Sequence, residues 1–376
     1  MNVGMPAVAQ EGERALSLDR LFWVEQNYLR AATLTAANAR LVDYHSRLGL
    51  VAAWGGGELA SADGLRFVVP VRTINAGPNP KYFGRRGKSA RGVTYYNFTS
   101  DQFTGLHGIV IPGTPKDWYY ILEGLLEQET SLQPTEITAD TAGASEMGFG
   151  AFRMLGLQLS PLLADAGSAT LYRVDPGADY GPLQGLTRSR VSTGIICDAW
   201  DDLLRVAGSL RTGAVKASEL FRYLVGGGKP TPVGRALIEL GRLDRSAYLA
   251  TYFDDELLRR RVTTQKNRQE ARHSLARRVF HGQKGELRQR YREGMEDQLS
   301  ALGFLVNVCV LWNTVYAARA LEAIRAEGKR PAAADIARLS PLGSEHLRFL
   351  GRYNFSLPED LRGGQLRSLR TPTPGQ

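Results

Sequence analysis

The sequence predicts a mixed α/β sheet protein that carries a mainly helical insertion. Three observations lead there. Three strand-like segments, Leu65–Arg72 (LRFVVPVR), Gly92–Phe98 (GVTYYNF) and Leu106–Ile111 (LHGIVI), follow one another with no helical pattern between them. The chain then alternates between helix-like Lys116–Glu129, strand-like Glu136–Asp140 (EITAD), helix-like Ser145–Leu155 and strand-like Leu157–Leu163. Sequential strands followed by alternation point to a sheet that is partly antiparallel and partly parallel. Third, residues 164–262 lose this rhythm: Gly- and Pro-containing stretches separate helical ones such as Ala199–Leu210, Ala217–Leu224 and Pro230–Phe253.

The elements at the two ends follow from the same patterns. Residues 1–14 read as a frayed start. Apolar positions from Leu18 to Leu41 predict helix over about Ala15–Leu50, which the turn cluster Trp54–Gly57 ends. Thr263 to about Gly328 is again strongly helical. Its most apolar stretch, Phe304–Trp312, is interrupted by Asn307 and bounded by Asn313; it is too short to span a bilayer and reads as a buried helix. The Pro- and Gly-rich end, TPTPGQ, is expected to be disordered.

At 376 residues the chain has material for two or three domains and a sizeable core. Hydrophobic residues at 43% and charged residues at 23% exclude collagen, coiled coil and wholesale disorder. The net charge of +9 favours a polyanionic partner. The two cysteines, Cys197 and Cys309, have apolar neighbours and no zinc-ligand spacing, so a reducing compartment fits. The N-terminus has no signal-peptide pattern.

Two acids stand at expected strand ends. Asp63 opens the DGLRF segment, at the mouth of the first strand, and Asp140 closes EITAD. Carboxylates on neighbouring strand ends repel each other unless a cation lies between them, and magnesium prefers such oxygen ligands. That is the layout of a two-metal phosphoryl-transfer site. Taken singly, each acid also suits an ordinary loop or cap position. Spacing does not choose a third acid among Glu256, Glu270, Glu286 and Glu293.

Residues 256–292 hold twelve Lys/Arg against three acids, a balance equal to the charge of the whole chain. Basicity so concentrated suits contact with a phosphate backbone. At ~100° per residue, Lys266, Glu270, His273, Arg277 and His281 share one helical face. Ala271, Leu275 and Val279 share another, expected to pack on the core. Other signals are weak. Gly226–Lys229 lacks the remainder of a phosphate loop, His45, His107 and His346 have no ligand spacing, and no GxSxG occurs.

The motifs SADGLRF (61–67), YNFTSDQFTGLHGIVIPGT (96–114), DTAGASE (140–146), YFDDELLRRRV (252–262), QKNRQEARHSLARRVFHGQKGELR (265–288), LVNVCVLWNTVY (305–316) and LSPLGSEHLRFLGRYNF (339–355) run through most of the chain. With them the chain resembles the catalytic region of the Tn-three family of transposases, the replicative, cointegrate-forming bacterial DDE enzymes. The resemblance implies an RNase H-like fold with a five-stranded mixed sheet, flanking helices and a mainly helical insertion before the helix that carries the third acid. Five regions follow: a helical lead-in (1–57), the first part of the core (58–165), the insertion (166–262), the helix of the catalytic Glu with the C-terminal helices (263–328), and a tail (329–376).

The resemblance also implies catalytic and metal-binding roles for Asp63, Asp140 and Glu270, with magnesium, or manganese in its place. It implies 3′-end cleavage and strand transfer on double-stranded DNA, both transposon ends and target, in the bacterial cytoplasm at the nucleoid and with no membrane partner. Self-association, or pairing with full-length transposase, is expected. Lys266, Arg268, Arg272, His273 and Arg277 are the expected phosphate contacts. Arg268-Gln269 stands before the Glu where members often carry Lys-Gly. Full members are much longer, so the chain reads as a truncated product or catalytic fragment. A DNA-binding remnant that inhibits full-length enzyme, or a stand-alone RNase H-like nuclease, are the competing readings.

Overall fold

A computed structural model describes residues 2–83, 89–113, 116–140, 145–165, 167, 169–349, 353, 355, 359–361 and 363–369. The tail expected to be disordered, 371–376, lies outside the described residues, as do Thr141–Ala144 of the DTAGASE motif.

The centre is a mixed sheet built on β1 (Leu59–Val68), β3 (Ser89–Ser100) and β4 (Gly105–Pro112), an antiparallel series in which β3 lies between the other two. On the far edge of β1 come β5 (Glu136–Thr138) and β6 (Gln158–Leu159), both parallel. The path β4-β3-β1-β5-β6 is the RNase H-like arrangement. A further strand, β2 (Gly77–Phe83), pairs with the start of β3 and raises the sheet from the five expected strands to six. Its Pro78 and Pro80 hide it from a propensity reading, since proline lacks the N–H that a ladder uses.

Alternation along β1 and β3 gives the sheet two dressed faces. Ala60, Ala62, Tyr96 and Phe98 enter one core, with α3 (Ile121–Leu126) and α4 (Glu146–Met154). Leu65, Phe67, Val93 and Tyr95 enter a second. Lead-in helices α1 (Leu18–Tyr28) and α2 (Ala31–Ser46) replace the single helix expected there. Helix α2 packs against the long C-terminal helix α10 (Arg292–Ala326), where buried His45 meets Thr314 through Nε2 at 2.9 Å. By length and composition α10 could cross a bilayer. In this fold its Leu299, Leu302, Val306 and Val310 lie in the second core, while buried Asn307 binds the Gly105 backbone and Asn38.

The insertion contributes a two-residue strand pair, β7 (Tyr172–Arg173) with β8 (Ser189–Arg190), and helices α5 (Thr193–Asp198), α6 (Trp200–Arg211), α7 (Ala217–Val225) and α8 (Pro232–Asp254). Thr231 caps α8, its hydroxyl accepting from Gly234 N–H, with Pro232 at the first helical position. Helices α4 and α8 cross at glycines: a Cβ on Gly150 would strike the Leu237 carbonyl oxygen, and one on Gly241 that of Glu146. Leu203, Leu210, Phe221, Leu237 and Leu240 of the insertion share one core with Phe149 and Phe152 of α4. Helix α9 (Glu256–Val279) then begins under the Asp255 cap, whose carboxylate accepts from Leu257 and Leu258 N–H at 2.7 and 3.1 Å.

Candidate active site

Strand β1 begins at Leu59, so Asp63 lies mid-strand, not at the strand mouth as expected. The segment before it, Leu59–Ala62, holds only Leu, Ala and Ser, small residues that suit a central strand hemmed in by β3 and β5. Ser61 pairs with Thr138 across the parallel β1–β5 ladder. Two residues further on stand Asp63 and Asp140, each at the same offset from that pair. In-register parallel strands of equal parity present one face, so the backbone carries both acids toward the side that α9 covers. Ion pairing of Glu136 in β5 with Arg261 of α9, at 2.8 Å, marks the same face. Asp140 is exposed, two residues beyond β5.

Helix α9 lies over this face and meets β1 from Ser61 onward, with Phe280 just past its end against Phe67. Its apolar end behaves as expected at Leu275 and Val279, which are buried. Ala271 departs from expectation and is exposed. The helix instead buries a polar face: Gln265, Lys266, Gln269 and Arg272. Gln269 is 0% exposed. Its Oε1 accepts from Ser61 Oγ at 2.8 Å and its Nε2 donates to Asn97 Oδ1 at 2.7 Å. Gln265 Nε2 donates to the Thr99 carbonyl at 2.8 Å. Asn97 sits directly opposite Asp63 in the β1–β3 register and donates to the Asp63 carbonyl at 3.3 Å. These four uncharged side chains, Ser61, Asn97, Gln265 and Gln269, were not singled out from the sequence. The i, i+4 spacing of the two glutamines and the even spacing of Ser61 from Asp63 are the signals that could have found them.

The Asp63 carboxylate has both oxygens engaged. Oδ1 accepts from Gly64 N–H at 2.7 Å and Oδ2 from Lys266 Nζ at 3.2 Å. Glu270 is exposed, one turn beyond Lys266 on the same stripe of α9. Among the described residues, no three His, Cys, Asp or Glu side chains are gathered closely enough to hold a metal ion. The donor chemistry is nevertheless that of a hard divalent cation: carboxylates at Asp63 and Asp140, each two residues past the Ser61–Thr138 pair, a third at Glu270 on the covering helix, and an ammonium standing in as the cation on Asp63.

The expected phosphate contacts divide. Arg272 is corrected: it is 5% exposed and donates to the Phe103 and Gly303 carbonyls, both at 3.3 Å, while burial pushes its guanidinium down to about 10. Arg268 is corrected too, because it donates to the Asp101 carbonyl at 2.6 Å and lies over the Phe103 ring. Lys266 is 5% exposed and committed to Asp63. His273 Nε2 lies 2.9 Å from Asn97 Nδ2 and 3.0 Å from Gln269 Nε2. Burial, opposed by the charge of Asp63, holds its ring down to about 4, so at neutral pH Nε2 is assigned as an acceptor from those amides. Arg277 alone of the five is exposed, near enough to Arg66 for the two guanidinium charges to repel.

An RNase H-like sheet with an aspartate on its first core strand, another just past the end of the fourth and a glutamate on the following long helix is the pattern of a DDE-type polynucleotidyl transferase domain. The comparisons agree, for residues 1–353 match the family model of the Tn3 transposase DDE domain, and the chain belongs to that family. It is 53% identical over 368 residues to the transposase for transposon gamma-delta of Escherichia coli K12, covering 98% of this chain and 36% of that protein. It is 45% identical over 372 residues to the transposase for transposon Tn4556 of Streptomyces fradiae, covering 99% and 41%. The transposase for transposon Tn501 of Pseudomonas aeruginosa is 34% identical over 373 residues, covering 99% and 37%. The chain thus spans roughly two-fifths of the length of these relatives. A DDE domain implies a divalent metal ion.

Proposed function

We propose that the chain is the catalytic region of a replicative DNA transposase, cutting the 3′ ends of a transposon and joining them to target DNA. Asp63, Asp140 and Glu270 would hold the metal, magnesium by preference with manganese as substitute. Bound there, the metal supplies charge to the phosphoryl oxygens and lowers the pKa of the attacking oxygen. The chain's own residues do the positioning. The Gln269–Ser61 and Gln269–Asn97 bonds lock α9 against β1 and β3, fixing the backbone that bears Glu270 relative to Asp63. His273, kept neutral, adds no charge beside the reacting phosphate. Exposed Arg277, with half-buried Arg66 beside it, forms the cationic spot suited to the DNA backbone. The partner is double-stranded DNA at the nucleoid, both transposon ends and target, with a second transposase copy pairing the ends. The five regions read from the sequence belong to this reading, with 166–262 a helical scaffold beside the catalytic core.

The observation that carries the proposal is the equal offset of Asp63 and Asp140 from the Ser61–Thr138 pair, beneath the helix that bears Glu270. The test is a gel assay with magnesium or manganese on intact and pre-nicked transposon-end duplexes. Joined strands are the expected product, lost in Asp63→Asn, Asp140→Asn and Glu270→Gln. Cutting without joining would replace the reading with a nuclease, and a mobility shift without cutting with a DNA-binding remnant. Loss of activity in Glu286→Gln but not in Glu270→Gln would overturn the third acid.

A further inference from the structure

Lys266 has no part in the chemistry above, yet it sits at its centre. Its side chain is 6% exposed, and its ammonium rests on Asp63 Oδ2. The other oxygen, Oδ1, accepts from the Gly64 backbone N–H. That donor is fixed by the strand, so Oδ2 is the oxygen more open to an incoming cation, and Lys266 already rests on it. A divalent ion and an ammonium on one carboxylate oxygen each weaken the other's hold, because their repulsion grows as the inverse of their separation. The lysine is the group that can leave, since its charge rides on a flexible four-carbon stem. Leaving costs it its anion in a half-closed site, and such a charge needs a replacement. In the working complex that replacement is the phosphodiester.

We propose that Lys266 is a built-in competitor for the cation position on Asp63, giving it up when a DNA phosphate offers its ammonium another partner, so that metal loading is coupled to DNA binding. The inference rests on reading Asp63 as a metal ligand. Coupling of this kind is reciprocal: DNA raises metal affinity by the factor by which metal raises DNA affinity. A metal ion would then be held firmly when a strand is present and loosely otherwise.

The experiment uses the full chain and Mn²⁺, followed by electron paramagnetic resonance of the free ion. Without DNA, Lys266→Met should bind Mn²⁺ about tenfold more tightly than the unaltered chain. Lys229→Met, with the same change of net charge in the insertion, should not. Lys266→Arg, which keeps a cation on the carboxylate, should stay near the unaltered value. Mn²⁺ should tighten binding to a random duplex more in the unaltered chain than in Lys266→Met. A second reading needs no substitution: acetylation of Lys266 by acetic anhydride, scored by mass spectrometry, should be slow in the metal-free chain and faster at saturating Mn²⁺. Equal or weaker Mn²⁺ binding by Lys266→Met, or unchanged protection of Lys266 in saturating Mn²⁺, overturns the inference. Asp63→Asn separates the two failures. If it leaves Mn²⁺ binding intact, the metal site itself is misassigned; if it abolishes binding while Lys266→Met gains nothing, only the competitor role falls.

Discussion

Replacing Gln269 by Met tests whether polar bonding, and not apolar packing, holds α9 on the sheet. Methionine is unbranched, close in size and a comparable helix former, so shape and propensity change little. Two short bonds disappear, from Ser61 Oγ at 2.8 Å and to Asn97 Oδ1 at 2.7 Å, at a residue that is 0% exposed. Each buried group left without its partner costs about 1–3 kcal/mol. Ser61 still accepts from Gln265 Nε2 at 3.2 Å, which softens the loss there, whereas Asn97 Oδ1 loses its donor, because the neighbouring His273 Nε2 is itself an acceptor. The expected destabilisation is therefore about 2–3 kcal/mol. Urea unfolding should show an earlier midpoint with an unchanged slope. Adding Ser61→Ala should cost less in the Gln269→Met background than alone, because the hydroxyl has already lost its best acceptor; a double-mutant cycle should give a coupling of about 1 kcal/mol. A Gln269→Met protein as stable as the unaltered chain, or strictly additive costs, would refute the argument that this network seats the helix.

Four more substitutions separate the roles of these side chains. Arg272→Ala should destabilise the fold by about 3 kcal/mol and leave the salt dependence of DNA binding unchanged, whereas Arg277→Ala should spare stability and cut the log–log salt slope by roughly 0.9 for the phosphate it neutralises. Competition binding at two salt concentrations, beside urea melts, decides between them. Burial holds the His45 ring down to about 4, below its ordinary 6.5. Its contribution is thus fully present above pH 6.5 and is lost as pH falls toward 4, by up to about 3 kcal/mol; His45→Leu should show a smaller fall in urea midpoint over that window. Gly241→Ala forces α4 and α8 apart and should cost about 3 kcal/mol, seen as a lower melting temperature.

What was legible in the sequence was the succession of elements. GVTYYNF and LHGIVI are rich in β-branched and aromatic residues, and their strands lie where those patterns stand, as β3 and β4. Leu59–Ala62 was missed because tight flanking strands select small side chains, which carry no strand signal. Leu157–Leu163 shrank to two paired residues, since pairing, not apolarity, makes a strand. At the site, acids on neighbouring strands could be anticipated, but the third acid came only through family resemblance. The cationic helix misled for a physical reason. Periodicity sorts residues by polarity, and here a polar face is the buried one, satisfied by Ser61, Thr99 and Asn97 across the sheet. Arginines 268 and 272 accordingly turn inward to carbonyl oxygens, where composition alone places them on phosphates.

The glycine crossing of α4 and α8 bears on how this domain can be rebuilt. Helix α4 starts at Glu146, shortly after Asp140, so the two helices leaning backbone on backbone fasten the insertion to the segment that follows the acid proposed as a metal ligand. Cutting residues 166–262 out would not yield a minimal nuclease. It would strip Phe149 and Phe152 of their cover and loosen the anchor behind Asp140. Grafting another family's insertion would require small residues at both crossing points and the same approach angle. Module swapping in this fold is therefore limited less by the junctions where the chain is cut than by one narrow seam far from them in sequence.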